Sequence, residues 1–336
     1  MKTPLTPPTS ATSVAPCRAD LAGGTLDIRP LGLFHPGALT LNMAVPVFVK
    51  LTVTDGAPPG FVEHQLAGGE IRRIGPHEAT RDLTAAVCFH FRPEGGLRVK
   101  VSSQAPIGSG LGGSSSYGIA LARATAAVCA ISLENEYLVR LIQDLEARVL
   151  AAPTGCQDHW GAVTGGVLAL HIEPGRDRLE RLDIDLEWLS ARFTLFFTGI
   201  THHSGMVNWQ VFRRRMEGHP ETTEALEQIA AAAGLCRSAL LRGVDEDVAT
   251  ALCSEWAARK RLAPEVCPSE LQDIEKAALA AGGLAFKACG AGGGGSVLVW
   301  HEPTRSDAVR AALRAVAPSG MLFPTGVADS GCSMKT

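Results

Sequence analysis

Between Ala38 and Thr54 apolar side chains recur at every second position, at Leu39, Leu41, Val45, Val47, Val49, Leu51 and Val53. That period of two predicts a long strand. Leu97, Val99 and Val101 repeat the pattern with Arg98 and Lys100 between them, so Leu97–Ser102 is predicted as a strand with one wet face. The period then changes. Tyr117–Ile131 is an Ala-rich helix too apolar to be exposed all round, and Glu134–Ala151 carries Leu138, Leu141, Ile142, Leu145 and Val149 on one helical stripe. Glu146 falls roughly 80° from the centre of that stripe, at the margin between core and solvent.

Further along, Val167–Ile172, Phe193–Phe197 and Ser296–Trp300 are predicted as strands. Helices are expected near Asn208–Met216, Thr222–Leu241, Asp245–Arg261, Ser269–Ala281 and Ser306–Val316. Val14–Pro30 reads as extended and broken at Gly23 and Gly24, and Ile71–Phe91 as partly helical. Asp55–Gly60, Pro153–Gly166 and Thr198–Gly205 read as turns. Residues 1–13, rich in Thr, Pro and Ser and without the charge and apolar core of a signal peptide, read as a disordered tail.

Composition narrows the classes. The 336 residues suffice for two domains, with sparse aromatics and abundant Ala, Gly and Leu. A net charge of −3, with no basic run beyond Arg213–Arg215, argues against nucleic acid as a partner. No apolar run approaches the roughly 20 residues that span a bilayer. Nine scattered cysteines without a CxxC pair read as reduced thiols in a cytoplasmic protein. The adjacent His202 and His203 lack the spacing of a helical zinc site.

The chemistry gathers at Pro106–Ser116, PIGSGLGGSSS. Gly108, Gly110, Gly112 and Gly113 remove the Cβ atoms that would hold backbone N–H groups away from a bulky anion, and the run leads into a helix. It reads as a phosphate cradle, with Ser114, Ser115 and Ser116 placed to cap that helix or face a phosphate-bound Mg²⁺. A dinucleotide-binding turn also shows a GxGxxG spacing, but the preceding strand alternates with basic residues instead of being wholly apolar; the GK[ST] ending of a P-loop is absent too. Asp158, between Gln157 and His159, reads singly as a turn residue. Cradle, Glu146 and Asp158 together have the parts that phosphoryl transfer needs.

The chain resembles the GHMP kinases, the family of galactokinase, homoserine kinase, mevalonate kinase and phosphomevalonate kinase. Pro106-Ile-Gly-Ser-Gly-Leu-Gly-Gly-Ser114 is similar to the central motif, and Lys287-Ala-Cys-Gly-Ala-Gly-Gly-Gly-Gly295 to the carboxy-terminal one. The resemblance implies a two-domain α+β fold: a ribosomal protein S5-like nucleotide-binding domain over residues 14–190 and a ferredoxin-like domain over 191–336. It further implies ATP and Mg²⁺. Pro106, Gly108, Ser109, Gly110, Leu111, Gly112, Gly113, Ser114 and Ser115 would hold the nucleotide. Ser114 and Glu146 would coordinate the metal, and Asp158 and Arg18 would be catalytic. Gly24, Thr25, Asp27, Gly292 and Gly293 would meet the acceptor.

Gly23-Gly24-Thr25-Leu26-Asp27 keeps the last residue of the galactokinase G-E-H-T-D string but not its Glu or His. It looks most like the heptose 7-phosphate kinase and fucokinase branch, which implies a sugar or sugar phosphate acceptor. The following Leu31, Leu33, Phe34 run is more apolar than a pocket for a polyol phosphate should be, so a less polar acceptor in the manner of mevalonate stays open. A sensor that binds without turnover, an ATP-dependent decarboxylase of the same fold, and a monomer or homodimer all stay open.

Overall fold

The computed structural model describes residues 8–65, 69–201 and 204–335. The alternating run becomes β2 (Leu39–Pro59), antiparallel to β1 (Ser10–Ala22) along nearly its whole length. β2 is long enough to take two more strands: β6 (Val167–His171) along Leu39–Met43 and β5 (Gly95–Ser103) along Val49–Pro59. β3 (Val62–Gln65) lies parallel to β5, with β4 (Ile71–Ile74) beyond it and β7 (Arg178–Arg181) beside β6. β12 (Ser333–Lys335) closes the other edge on β1, giving the order β12-β1-β2-β5-β3-β4. In β5, Arg98 and Lys100 are exposed while Leu97 and Val99 are buried, as the alternation requires.

Helices α1 (Leu83–Phe91), α2 (Gly113–Val128), α3 (Asn135–Leu150) and α4 (Gln157–Thr164) cover one region of this sheet, with the Ala-rich α2 packed on β1 and β2. The short α5 (Leu186–Ser190) leads to a second, antiparallel sheet of order β11-β8-β10-β9. Its strands are β8 (Phe193–Phe197), β9 (Gly283–Ala288), β10 (Ser296–His301) and β11 (Met321–Leu322). Helix α6 (Ser204–Met216) packs against α7 (Pro220–Arg242), which packs on β1 and β2 of the first sheet and on α8 (Asp245–Lys260), whereas α8, α9 (Ser269–Ala280) and α10 (Ser306–Val316) pack on the second sheet. The result is two-domain α+β, with a mixed sheet first and a ferredoxin-like antiparallel sheet second. The division expected at residue 190 falls between α5 and β8, and β12 returns across it to the first sheet.

Three sequence expectations are corrected. Of the disordered tail, residues 1–7 lie outside the described residues, but Ser10–Ser13 is strand. Its hydroxyls find partners, Thr12 Oγ1 standing 2.8 Å from Thr52 Oγ1, so a polar stretch still pays into a sheet edge. Asp55–Pro59 is the irregular end of β2, with a register shift against β5, rather than a turn. Ile71–Phe91 is partly helical as expected: it divides into β4, a 3₁₀ turn at Pro76–Thr80 and α1, whose start Asp82 caps by accepting from the Ala85 N–H at 3.0 Å. Within the turn-rich Pro153–Gly166, α4 forms between flanking glycines, and Gly165 and Gly166 at φ +72° and +73° end it. His202 and His203 lie outside the described residues.

Among the described residues no helix is long and apolar enough to cross a membrane, and all nine cysteines are free thiols. Burial pushes Cys17 up to about 11 and Cys289 up to about 12, so these two thiols stay neutral.

Candidate active site

Three glycines shape the cradle. Gly108, Gly110 and Gly112 have φ of +73°, +72° and +67°, conformations costly for any residue with a Cβ, and Gly112 stands at the N-cap of α2. The loop is tied down from β1: the Arg18 N–H donates to Leu111 O at 2.9 Å, and its Nη1 donates to Gly110 O at 2.8 Å and Cys289 O at 2.9 Å. One side chain thus joins the first glycine string to the root of the second. The two strings also meet directly, because a Cβ on Gly290 would stand 3.1 Å from Gly110 O.

Arg18 also carries Asp158. Its Nε and Nη2 each lie 2.7 Å from Asp158 Oδ1. Asp158 sits in the first turn of α4, and a Cβ on Gly112 would be 3.1 Å from its Oδ2. One carboxylate oxygen is held by the guanidinium while the other lies over the cradle. A bifurcated charge-assisted contact of this kind orients a carboxylate firmly.

Glu146 is buried rather than marginal. Its Oε2 accepts from Ser115 Oγ at 2.8 Å and lies 3.0 Å from His159 Nε2. Burial alone would raise this carboxyl, but His159, then the Ser114 and Ser115 hydroxyls, outweigh it and hold it below the ordinary carboxylate range. An ionised carboxylate beside two hydroxyls at the start of α2 is a hard oxygen set that suits Mg²⁺, which keeps most of its shell for phosphate and water. Ser114 and Ser115 both line the cavity, Ser114 being the exposed one of the two.

That cavity, of about 1100 Å³, runs from the cradle past Asp158 to the loop after β1. Gly24, Thr25, Asp27, Gln157, Asn208 and Arg259 line its far end, and Pro106, Lys100 and Tyr117 the end beside the cradle. Asp27 Oδ2 accepts from the Gln157 N–H at 2.9 Å, and no side chain would fit on Gly155 because Asp27 occupies the space. Burial, reinforced by Asp158 and Asp20 and opposed by the Gln157 N–H, pushes the Asp27 carboxyl up to about 6.

The remaining expected residues are placed less directly. Leu111 is fully buried and contributes its carbonyl to Arg18. Gly290 and Ala291 line the cavity, whereas Gly292 and Gly293 pack against Val266, with the Gly293 N–H donating to Val266 O at 2.8 Å. The Leu31–Phe34 run forms a 3₁₀ turn outside the cavity lining, and Phe34 lies under Arg215, whose guanidinium is 4.6 Å from the ring centre. Its apolar character therefore does not describe the pocket.

The sequence reading passes over a buried charge cluster behind the site. Lys287 Nζ donates to Asp20 Oδ2 at 3.0 Å and lies 3.4 Å from Glu255 Oε2. Arg259 donates to Glu255 Oε1 and, through Nη2, to Gly24 O at 2.9 Å. All four residues are at most 1 % exposed. A signal existed: Leu252, Glu255 and Arg259 share one stripe of α8, so an ion pair was due on a core-facing side.

The family profiles described as "GHMP kinases N terminal domain" and "GHMP kinases C terminal" match residues 79–166 and 236–319, together just over half of the chain. The chain belongs to the GHMP kinase family. It is 28% identical over 216 residues to a D-glycero-alpha-D-manno-heptose 7-phosphate kinase of Campylobacter jejuni, a match covering 63% of each chain and so less than two thirds of that relative. It is 27% identical over 252 residues to a mevalonate kinase of Thermococcus onnurineus, covering 71% of this chain and 69% of that one. Among solved structures, a D-glycero-D-manno-heptose 1-phosphate kinase from Bacteroides thetaiotaomicron shares the fold with a TM-score of 0.75, at 22% identity over 97% of this chain and 99% of that one.

Proposed function

We propose that this protein is an ATP-dependent kinase that transfers the γ-phosphate to a hydroxyl of a sugar or sugar phosphate, in the manner of the heptose 7-phosphate kinase it resembles. The observation that carries the reading is the position of Asp158, held by Arg18 between a glycine cradle and a polar pocket. Asp158 Oδ2 would receive or orient the acceptor hydroxyl, and Arg18, anchored to both glycine strings, would face the charge of the transferred group. Ser114, Ser115 and Glu146 would hold Mg²⁺, which when bound offsets phosphate charge. The apolar acceptor loses its main support, since the Leu31–Phe34 run lies outside the cavity.

Incubation with ATP, Mg²⁺ and a panel of heptose phosphates, free sugars and mevalonate should give ADP release with a sugar or sugar phosphate. Release with no acceptor in the panel would defeat the proposal. Glu146→Gln keeps the shape and removes the charge, so the Mg²⁺ concentration for half-maximal turnover should rise about 10- to 100-fold. An unchanged Mg²⁺ titration would remove Glu146 from the metal site.

Asp27 gives a pH signature. Above about pH 6 its carboxylate can accept from a sugar hydroxyl, and below that it is protonated, so the acceptor KM should rise as pH falls through about 6. In Asp27→Asn that inflection should vanish while KM stays high throughout. For stability the sign is opposite to the usual carboxylate: the folded chain holds this proton more tightly than the unfolded one, so this group's contribution declines as pH climbs from about 4 to about 6.

A further inference from the structure

Two buried oxygens at the far end of the cavity have no hydrogen-bond partner among the described residues: Asp20 Oδ1 and Gln157 Oε1. Asp20 is 1 % exposed and Gln157 6 %, yet both residues line the cavity. They converge on Gly24, where a Cβ would stand 2.7 Å from Asp20 Oδ2 and 3.0 Å from Gln157 Nε2. Position 24 is glycine because these two heads close in on it.

The partners of each residue decide what is left over. Lys287, which lies behind the cavity wall, takes Asp20 Oδ2 at 3.0 Å, and Arg259 Nη2, from the cavity lining, stands 3.6 Å from the same oxygen, so both cations are directed at Oδ2 and leave Oδ1 free. Gln157 is held through its backbone, its N–H donating to Asp27 and its carbonyl accepting from Asn42 Nδ2 at 3.3 Å. Each residue is therefore fixed from the protein side, and the free oxygen of each is an acceptor. Buried acceptors left unpaired cost stability, and a native fold tolerates them where a ligand supplies the donors. A hydroxyl is the donor that suits them, since phosphate and carboxylate oxygens would repel both.

We infer that Asp20 and Gln157 are specificity-determining residues that each accept a hydrogen bond from a hydroxyl of the acceptor, so that the pocket selects a polyhydroxylated substrate. With Asp27 they form three acceptors around the group that Asp158 activates; this rests on the kinase reading for the role of Asp158 but not for the binding itself. Mevalonate has a single alcohol besides the one phosphorylated and would leave at least one of these buried oxygens unpaired. A sugar has enough hydroxyls for all of them. The pocket is thus built to reject a ligand that lacks a hydroxyl more strongly than one that carries an extra methylene.

The test is calorimetric binding to the full chain, with D-glycero-D-manno-heptose 7-phosphate, its monodeoxy analogues and mevalonate as probes. The parent sugar phosphate should bind, at least one deoxy analogue should bind about 10- to 100-fold more weakly, and mevalonate should bind more weakly still. In Gln157→Met, which keeps the length and removes the amide, one such deoxy penalty should shrink to less than threefold. Asp20→Asn should alter the penalty of a different analogue; if it fails to fold, Gln157→Met decides alone. Equal or tighter binding of mevalonate, or a set of deoxy penalties that Gln157→Met leaves unchanged, overturns the inference. If the binding series behaves as expected but no ADP is released, the kinase reading falls and the hydroxyl-reading pocket stands.

Discussion

Asp158→Asn should lower turnover by about 10²- to 10⁴-fold while ATP still binds, the loss expected when a group that moves or orients the reacting proton is removed. The size follows from the geometry. Arg18 saturates Oδ1 through two nitrogens at 2.7 Å and leaves Oδ2 over Gly112, so the carboxylate has one oxygen for anchoring and one for the acceptor. Asparagine can keep the anchor oxygen but puts an amide where a proton acceptor stood. ATP affinity should change by a few-fold at most, because the cradle is held by Arg18 through carbonyls that the substitution does not touch. Rapid-quench turnover together with binding of a fluorescent nucleotide separates the two effects. Wild-type turnover in this variant would take Asp158 out of the chemistry altogether.

The second large effect is on stability. Lys287→Met should destabilise the fold by about 3–5 kcal/mol, because removing one member of a buried ion cluster strands the charge it faced. Two carboxylates face Lys287, Asp20 at 3.0 Å and Glu255 at 3.4 Å, and Arg259 remains as the only other cation of the group. The cluster joins β1 of the first domain to α8 and β9 of the second, so the loss would fall on their association as well as on each core. The urea midpoint of the variant measures it. A shift worth less than about 1 kcal/mol would mean that the cluster is not sealed from water.

Much of this was legible in the chain. Phe193–Phe197 and Ser306–Val316 form as the pattern predicts, residue for residue, because each is a run of one period bounded by turn residues. The first glycine string reads in the sequence as a cradle, and Arg18, Glu146 and Asp158 gather beside it in the fold. What escaped has physical reasons. Asp158 reads as a turn residue because the glycines around it mask an eight-residue helix, too short for periodicity to register. Ser10–Ser13 looks like tail because its partners, Leu51–Thr54, lie some 40 residues away and satisfy hydroxyls rather than apolar groups. Asp20 and Lys287 are separated by 267 positions, and no local pattern says that two charges so far apart will neutralise each other. Charge pairing across a domain boundary is a property of the folded chain alone.

The return of β12 to the edge of β1 has a consequence for how the molecule is made. Thr12 pairs with Lys335, and the Cys332 N–H reaches Ala162 O at 2.7 Å on the helix that carries Asp158. On a ribosome the first sheet therefore waits, its β1 edge open, until β12 has emerged. Contacts of such long range are slow to close and leave an unpaired edge exposed in the meantime. The nascent chain is most vulnerable to aggregation during synthesis of the second domain, when the helix that carries Asp158 still lacks its brace from Cys332.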